Sequence, residues 1–172
     1  MSQMLGLDSK KVMLEEYDSE WHLYFNDESK FIKSILGDSV MDIQHFGSTS
    51  IVGLKAKPII DILVGLKSFG EMEQVISKMQ EAGYIYAHWA GIPNDYTFRK
   101  GKDITTHLIH VVEYGKNNWI HNIKFRDALK NNPALIKEYE QLKEDLAKKY
   151  PDSREKYTAG KGKFILDVVS KQ

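Results

Sequence analysis

A single carboxylate, Asp61, stands inside the apolar run PIIDILVGL at Pro58–Leu66. The run is hydrophobic at both parities, the pattern of a strand covered on its two faces. An acid in such a place must be hydrogen-bonded, paired, metal-bound or open to a cleft, because an unpaired buried carboxylate is costly. Side chains alternate along a strand, so Asp61 shares a face with Ile59 and Leu63. Just upstream, Gly47-Ser48-Thr49-Ser50 offers hydroxyls and free backbone N–H groups. Such a turn suits phosphate oxygens where it opens a helix, and equally serves as a turn with an N-cap. It is not a P-loop: the second motif glycine would fall on Val52, and no Gly-Lys-Ser/Thr follows. The GKGK at Gly160–Lys163 fails the same test, with Glu155 and Gly162 at the diagnostic places. Asp61 therefore has three readings: a ligand-facing acid, an acceptor for the Gly47–Ser50 turn, or a partner of Lys57.

A second chemical group lies on the run Ile104–Glu113, which carries His107, His110 and Glu113. His110 alternates with Leu108 and Val112; His107 and Glu113 take the other face. An Asp61–His110 pair would serve proton transfer or bind a transition metal. Arg99, Arg126 and Lys161 would clamp a phosphate if they converge on Asp61, and are solvated charges if they point outward. One-residue spacing places Asp127 off the face of Arg126. Trp89 and Tyr96 either stack a base or pack the sheet, and packing is the commoner role.

These residues need a frame. Apolar spacing predicts a helix over 18–36, strands over 40–46 and 58–66, and a helix over 69–82. Strands follow at 84–88, 96–99 and 104–113, then helices over 118–130, 133–150 and from 153 to 169. Pro133 suits a helix's first turn, and Pro151 marks a break. The order predicts an α/β (α+β) fold with a mixed sheet of about five strands, and helices packed on it. One domain spans 1–172, with 1–12 a polar lead-in and 117–172 a helical C-terminal part.

Composition narrows the class. Hydrophobic residues make 42% and charged residues 28%, ordinary for a globular chain. The net charge is +0, but residues 1–113 carry 11 Lys+Arg against 16 Asp+Glu, and residues 114–172 carry 13 against 8. Neutrality and the lack of a basic recognition helix argue against nucleic acid as a partner. With Cys 0, disulfides and thiolate metal sites are excluded, which fits a reducing compartment. MSQMLGLDSKK lacks the apolar core of a signal peptide, and no segment approaches the about 18 apolar residues of a membrane span. A cytoplasmic protein is expected, with no membrane partner.

The stretch HFGSTSIVGLKAKPIIDILV resembles the GrpB family, whose members carry a motif of the kind H-x-GST-x-x-PGL-x-A-KP-x-ID. Three further segments are similar in the same order: TTHLIHVVE at Thr105–Glu113, FRDALKNNP at Phe125–Pro133, and YEQLKEDLAKKY followed by YTAGKGKFI, ending at Ile165. The resemblance covers roughly residues 17–170. It implies a nucleotidyltransferase-like fold of the polymerase-beta type. In that superfamily a Gly-Ser turn binds phosphate, and an Asp-x-Asp/Glu pair with a third acid holds two magnesium ions. The resemblance thus implies the Gly47-Ser48-Thr49 turn as a phosphate contact and favours Arg126; with Lys57, Arg99 and Lys161 these are the expected phosphate or nucleotide contacts. Asp61 matches the first acid, and Asp61 with His110 are the expected catalytic or metal-holding groups. The expected ligand is a nucleotide or small phosphate-bearing molecule, and the expected cofactor Mg2+ or another divalent cation. Leu63 stands where the second acid belongs, which leaves the two-metal set incomplete. GrpB-like domains also occur fused to dephospho-coenzyme A kinase, so a non-catalytic binding or interaction module linked to coenzyme A metabolism is the rival implication.

Overall fold

The computed structural model describes residues 4–87 and 92–171. Trp89 and the end of the 84–88 strand lie outside the described residues. Among the described residues, seven strands and five α-helices follow in the order β1 (Leu7–Asp8), α1 (Glu20–Leu36), β2 (Val40–Phe46), β3 (Ile60–Leu66), α2 (Met72–Glu81), β4 (Ile85–Tyr86), β5 (Tyr96–Lys100), β6 (Ile104–Thr105), β7 (His107–Glu113), α3 (Asn117–Lys130), α4 (Pro133–Lys149) and α5 (Arg154–Val169). None of the described helices is long and apolar enough to cross a membrane.

Five strands form one mixed sheet in the order β2-β3-β7-β5-β4. Only the β3–β7 pair is parallel. Helix α2, β4 and β5 lie between those two strands in sequence, which gives the crossover a parallel pair requires. The apolar run Ile60–Leu66 occupies an inner position, as its two-sided hydrophobicity demands. Every residue of β3 is buried except Asp61, which keeps partial exposure.

Parity decides what covers each face. Ile60, Ile62, Val64 and Leu66 of β3, with Ile109 and Val111 of β7, pack under Trp21, Ile32 and Leu36 of α1 and Met72, Val75 and Met79 of α2. Tyr96 belongs to this side, edge-on to Phe69 at 5.0 Å, so it packs the sheet and does not face Asp61. The opposite parity places Leu63 and Val112 against Trp119 of α3. Helices α3, α4 and α5 then close over the 47–57 loop through Ile51, Leu54, Leu129 and Tyr139, with Phe125 and Phe164 packed alongside. Strand β3 comes so close to α3 that a Cβ built on Gly65 would lie 2.8 Å from the Trp119 ring. We expect Gly65→Ala to lower unfolding free energy by about 1–3 kcal/mol, the usual cost of overpacking. Urea unfolding with an unchanged m-value checks this.

Two expectations need correction. The run 104–113 is not one strand. It breaks at Thr106, whose N–H donates to Lys100 O at 3.0 Å, and Ile104–Thr105 leaves the main sheet. The lead-in 1–12 is not merely polar: Leu7 pairs with Thr105 and Asp8 with Ile104, and both Leu7 and Val12 are buried. Two residues of pairing fall below the length at which alternation can be read.

Candidate functional site

Register assembles the site. Phe46 lies opposite Asp61, Asp61 opposite Leu108, and Leu63 opposite His110. Asp61, Leu63, Leu108 and His110 therefore share the face that α3 and α5 approach. Helical and loop residues complete a cavity of about 270 Å³ over this face, lined among others by Gly47, Ser48, Thr49, Lys57, Asp61 and His110. Phe125, Tyr139, Tyr157 and Lys161 close it from the helical side. It is just below the about 300–1,000 Å³ of common small-molecule sites and carries the expected mixture of aromatic walls and a few polar groups.

Gly47 explains the tight seat of the carboxylate. Its backbone has φ 69 and ψ −176, a region that side-chain-bearing residues essentially avoid. A Cβ placed there would overlap the Asp61 carboxylate and stand 2.9 Å from its Cβ and Cγ. Glycine is needed both for the turn and for the approach. The rest of the turn is structural: Ser50 Oγ donates to Gly47 O at 2.7 Å, and Thr49 Oγ1 meets His45 Nε2 at 3.0 Å. Ser48 hydrogen-bonds the Tyr139 hydroxyl.

Among the described residues Asp61 forms no ion pair within 4 Å and accepts no side-chain hydrogen bond, from the Gly47–Ser50 turn or from Lys57. Burial raises its pKa above the usual carboxylate value, while His110, Lys57, Lys161 and Arg154 pull it down more weakly. The ammonium groups of Lys57 and Lys161 stand over the same Tyr157 ring, at 5.1 and 4.7 Å from its centre. Burial pushes the Lys57 pKa down to about 7, helped by the charges of Lys161 and Arg154 and opposed by Asp61. Lys161 is lowered by burial and raised by Asp61.

His110 is held from behind. Its Nδ1 lies 2.8 Å from Asp95 Oδ2, and both side chains are largely buried. Asp95 is fixed in turn by Thr97 Oγ1, which donates to Oδ1 at 3.1 Å. Asn118 Nδ2 donates to the carbonyls of Pro93 and Asn94 at 2.8 and 3.0 Å, pinning the loop that carries Asp95. With Nδ1 engaged, Nε2 is the nitrogen left for the cavity. Burial works to lower the His110 pKa, yet the charge and hydrogen bond of Asp95, with Asp61 behind them, leave it raised.

Two of the residues read as phosphate contacts lie elsewhere. Arg126 does not line the cavity. Its Nη1 donates to Gln44 Oε1 at 2.7 Å and His45 O at 3.1 Å, and its Nε to Asp127 Oδ1 at 2.8 Å. Adjacent helical residues do not share a face, but the long arginine stem lets the guanidinium fold back to Asp127. Arg99 also stands off the cavity, donating from Nη1 to Lys102 O at 2.9 Å. His107 lies on the other face of the sheet, its Nδ1 2.9 Å from Thr106 Oγ1. The residues that sequence reasoning missed are Asp95, Tyr139 and Tyr157. Asp95 left a faint signal, an Asn-Asp turn just before a strand; the helical tyrosines left none that separates lining from core.

The donor set does not fit a resident metal. Asp61 is the one carboxylate among the cavity's described lining residues, with one nitrogen of His110 beside it, and Leu63 is fully buried between Val112 and Trp119. The described residues contain no group of three His, Asp or Glu able to hold an ion, where magnesium takes about six ligands. What the arrangement offers instead is an unpaired carboxylate and an oriented imidazole in one cavity with two lysine side chains.

Comparison with known proteins agrees with the fold. The pattern of the family described as GrpB protein matches residues 11–171. The glutamate-rich protein GrpB of Alkalihalophilus pseudofirmus is 41% identical over 97% of this chain and 99% of its own length. The UPF0157 protein YqkA of Bacillus subtilis is 36% identical over 91% of this chain, which spans 46% of that longer protein. The crystal structure of the conserved protein GrpB from Enterococcus faecalis superposes with a TM-score of 0.85 at 32% identity, covering 92% of this chain and 96% of that one. The chain belongs to the GrpB family.

Proposed function

We propose that this chain binds a small phosphate-bearing molecule of the nucleotide class in the Asp61 cavity. The observation that carries this reading is Asp61 itself, unpaired and partly exposed in a cavity whose other charged walls are cationic. Lys57 and Lys161 would neutralise the ligand's anionic group, and the aromatic walls would cover its apolar part. Asp61 would accept a hydrogen bond from a ligand hydroxyl. His110, oriented by Asp95, would hydrogen-bond the ligand through Nε2. This chemistry runs on the chain's own residues and routes no step through a metal.

Thermal shift against a panel of nucleoside phosphates and sugar phosphates tests it. A ligand at 100 times its Kd stabilises by about 2.7 kcal/mol. The same ligand should shift Asp61→Asn far less. Without ligand, Asp61→Asn should be the more stable protein at neutral pH, by about 0.5–2 kcal/mol, because a carboxylate held for function burdens the fold. The pH dependence follows from the raised folded-state pKa. Stability from protonated Asp61 is present below the unfolded value of 3.8 and is lost as pH rises through the folded value. Asp61→Asn should remove that decline. A panel that shifts neither protein, or both alike, would refute the reading.

A second reading, binding without turnover, draws on Leu63. Its side chain belongs to the apolar cluster with Val112 and Trp119. A chain that fills the second acid position with core has the cavity but not the two-metal frame of nucleotidyl transfer.

A further inference from the structure

Two lysines of the Asp61 cavity lack the partners that hold their neighbours. Lys55 is bound by Glu144 at 2.8 Å and Glu16 at 3.4 Å, and Lys143 donates to Lys55 O. Lys57 and Lys161 line the cavity, yet among the described residues neither forms an ion pair or a side-chain hydrogen bond. Both stand over the ring of Tyr157, a side chain that is itself fully buried. Lys161 reaches that ring from one helical turn further along α5. The backbone around Lys57 is fixed on either side. Ala56 pairs with Glu15 through hydrogen bonds of 2.8 and 3.0 Å, Gly6 N–H donates to Pro58 O at 2.7 Å, and Ile59 N–H donates to Lys57 O at 2.7 Å. Ala56, Ile59 and Ile165 add apolar wall to the same cavity.

Buried ammonium groups are normally paired, so an unpaired one that opens on a cavity is available to a ligand. A lysine becomes a nucleophile where its ammonium is desolvated and stands beside another cation. Both conditions meet at Lys57. Burial, then the charges of Lys161 and Arg154, bring its pKa down to about 7 against the pull of Asp61, and Lys143 lies within the same field. About half of the amine is then free base at neutral pH. The anchored backbone holds that amine on a rigid base, as a reacting group requires.

Resting on the proposed phosphate site but going beyond its nucleotide reading, we infer that Lys57 is a nucleophile that captures phosphate-bearing aldehydes or ketones as an imine. Open-chain sugar phosphates belong to this class. The Lys57 Nζ lone pair forms the new bond to the carbonyl carbon, and the carbon–oxygen bond breaks. The carbonyl oxygen leaves as water with both hydrogens of the amine, so no oxidant or reductant is needed. Once protonated, the imine carries the same single positive charge as the ammonium it replaces. The charge that Lys57 presents to the ligand's anionic group is thereby kept, and Lys161 supplies the second.

Glycolaldehyde phosphate, with cyanoborohydride to reduce any imine to a stable amine, tests this on the full wild-type chain. Peptide mass spectrometry reads the extent of labelling at each lysine in one sample, so the main comparison needs no variant. At pH 7 Lys57 should be labelled at least tenfold faster than the solvent-exposed Lys163. Glycolaldehyde, which lacks the phosphate, should label Lys57 at least tenfold more slowly than its phosphate ester does, and Lys163 about equally. The ratio of Lys57 to Lys163 labelling should fall as pH rises above about 7, because Lys57 is by then neutral, while an ordinary lysine gains free amine up to about pH 10. Lys161→Gln removes the neighbouring charge and should slow the labelling of Lys57 by glycolaldehyde itself, which has no phosphate contact to lose. Labelling of Lys57 no faster than that of Lys163, or of Lys161 in preference to Lys57, would overturn the inference. Equal rates at Lys57 with the two aldehydes would overturn the substrate class. The thermal-shift panel, whose ligands bind without an imine, judges the proposed function separately.

Discussion

Gly47→Ala should be among the most damaging single-methyl changes in this protein, lowering unfolding free energy by about 3 kcal/mol or more. Two costs add. The backbone at φ 69, ψ −176 belongs to glycine, and holding another residue there costs about 1–3 kcal/mol. The new methyl also lands on the Asp61 carboxylate, which is rooted in an inner strand and cannot swing away. For a chain of this size the fall in Tm should be about 6–12 °C, at about 2–4 °C per kcal/mol. The two terms separate in a double-mutant cycle with Asp61→Gly. Removing the carboxylate should recover the collision and leave the backbone cost, so coupling between the positions should be about 1 kcal/mol or more. Additive losses would mean that the turn and the acid are not in contact.

Leu63→Asp should do greater harm and restore nothing. The substitution rebuilds the Asp-x-Asp spacing, and in an open cleft it would tighten divalent-metal binding. Leu63 is instead fully buried, walled by Val112 and Trp119 with Phe46 and Ile123 alongside. A carboxylate there loses the leucine's packing, about 2–5 kcal/mol, and adds an uncompensated buried charge. Against a typical total stability of about 5–15 kcal/mol, most of the chain should be unfolded or aggregated at 37 °C. Leu63→Met, which conserves volume, should cost less than about 1.5 kcal/mol. Circular dichroism of the two variants with and without magnesium decides the matter. A folded Leu63→Asp protein that magnesium stabilises would show that the two-metal frame survives beneath the core.

These two positions also show what a sequence can and cannot reveal about such a site. Ile60–Leu66 and His107–Glu113 are legible because apolar residues at both parities mark inner strands, and alternation alone puts Asp61 and His110 on matching faces once the strands run parallel. Leu63 is legible as a missing acid, but whether its place is cleft or core depends on where Trp119 falls. Helix α3 hides that, because its apolar residues do not form one stripe: Trp119, Ala128 and Leu129 are buried in different directions. The same ambiguity made Arg126 resemble a phosphate contact, when it ties α3 to Gln44 and His45 of β2. Asp95 escaped notice because a loop residue gains meaning only from its partner, His110, 15 positions on.

Everything proposed for the cavity rests on Asp61 standing unpaired where solvent and ligand reach it. Carboxyl-carbon NMR of the protein labelled at aspartate, titrated with pH and assigned through Asp61→Asn, reads that state directly. We expect a titration midpoint above the ordinary 3.8 and a resonance that moves when a phosphate-bearing ligand is added. A midpoint below 3.8, or a resonance indifferent to every such ligand, would mean that protein groups already satisfy the acid, and would contradict the account.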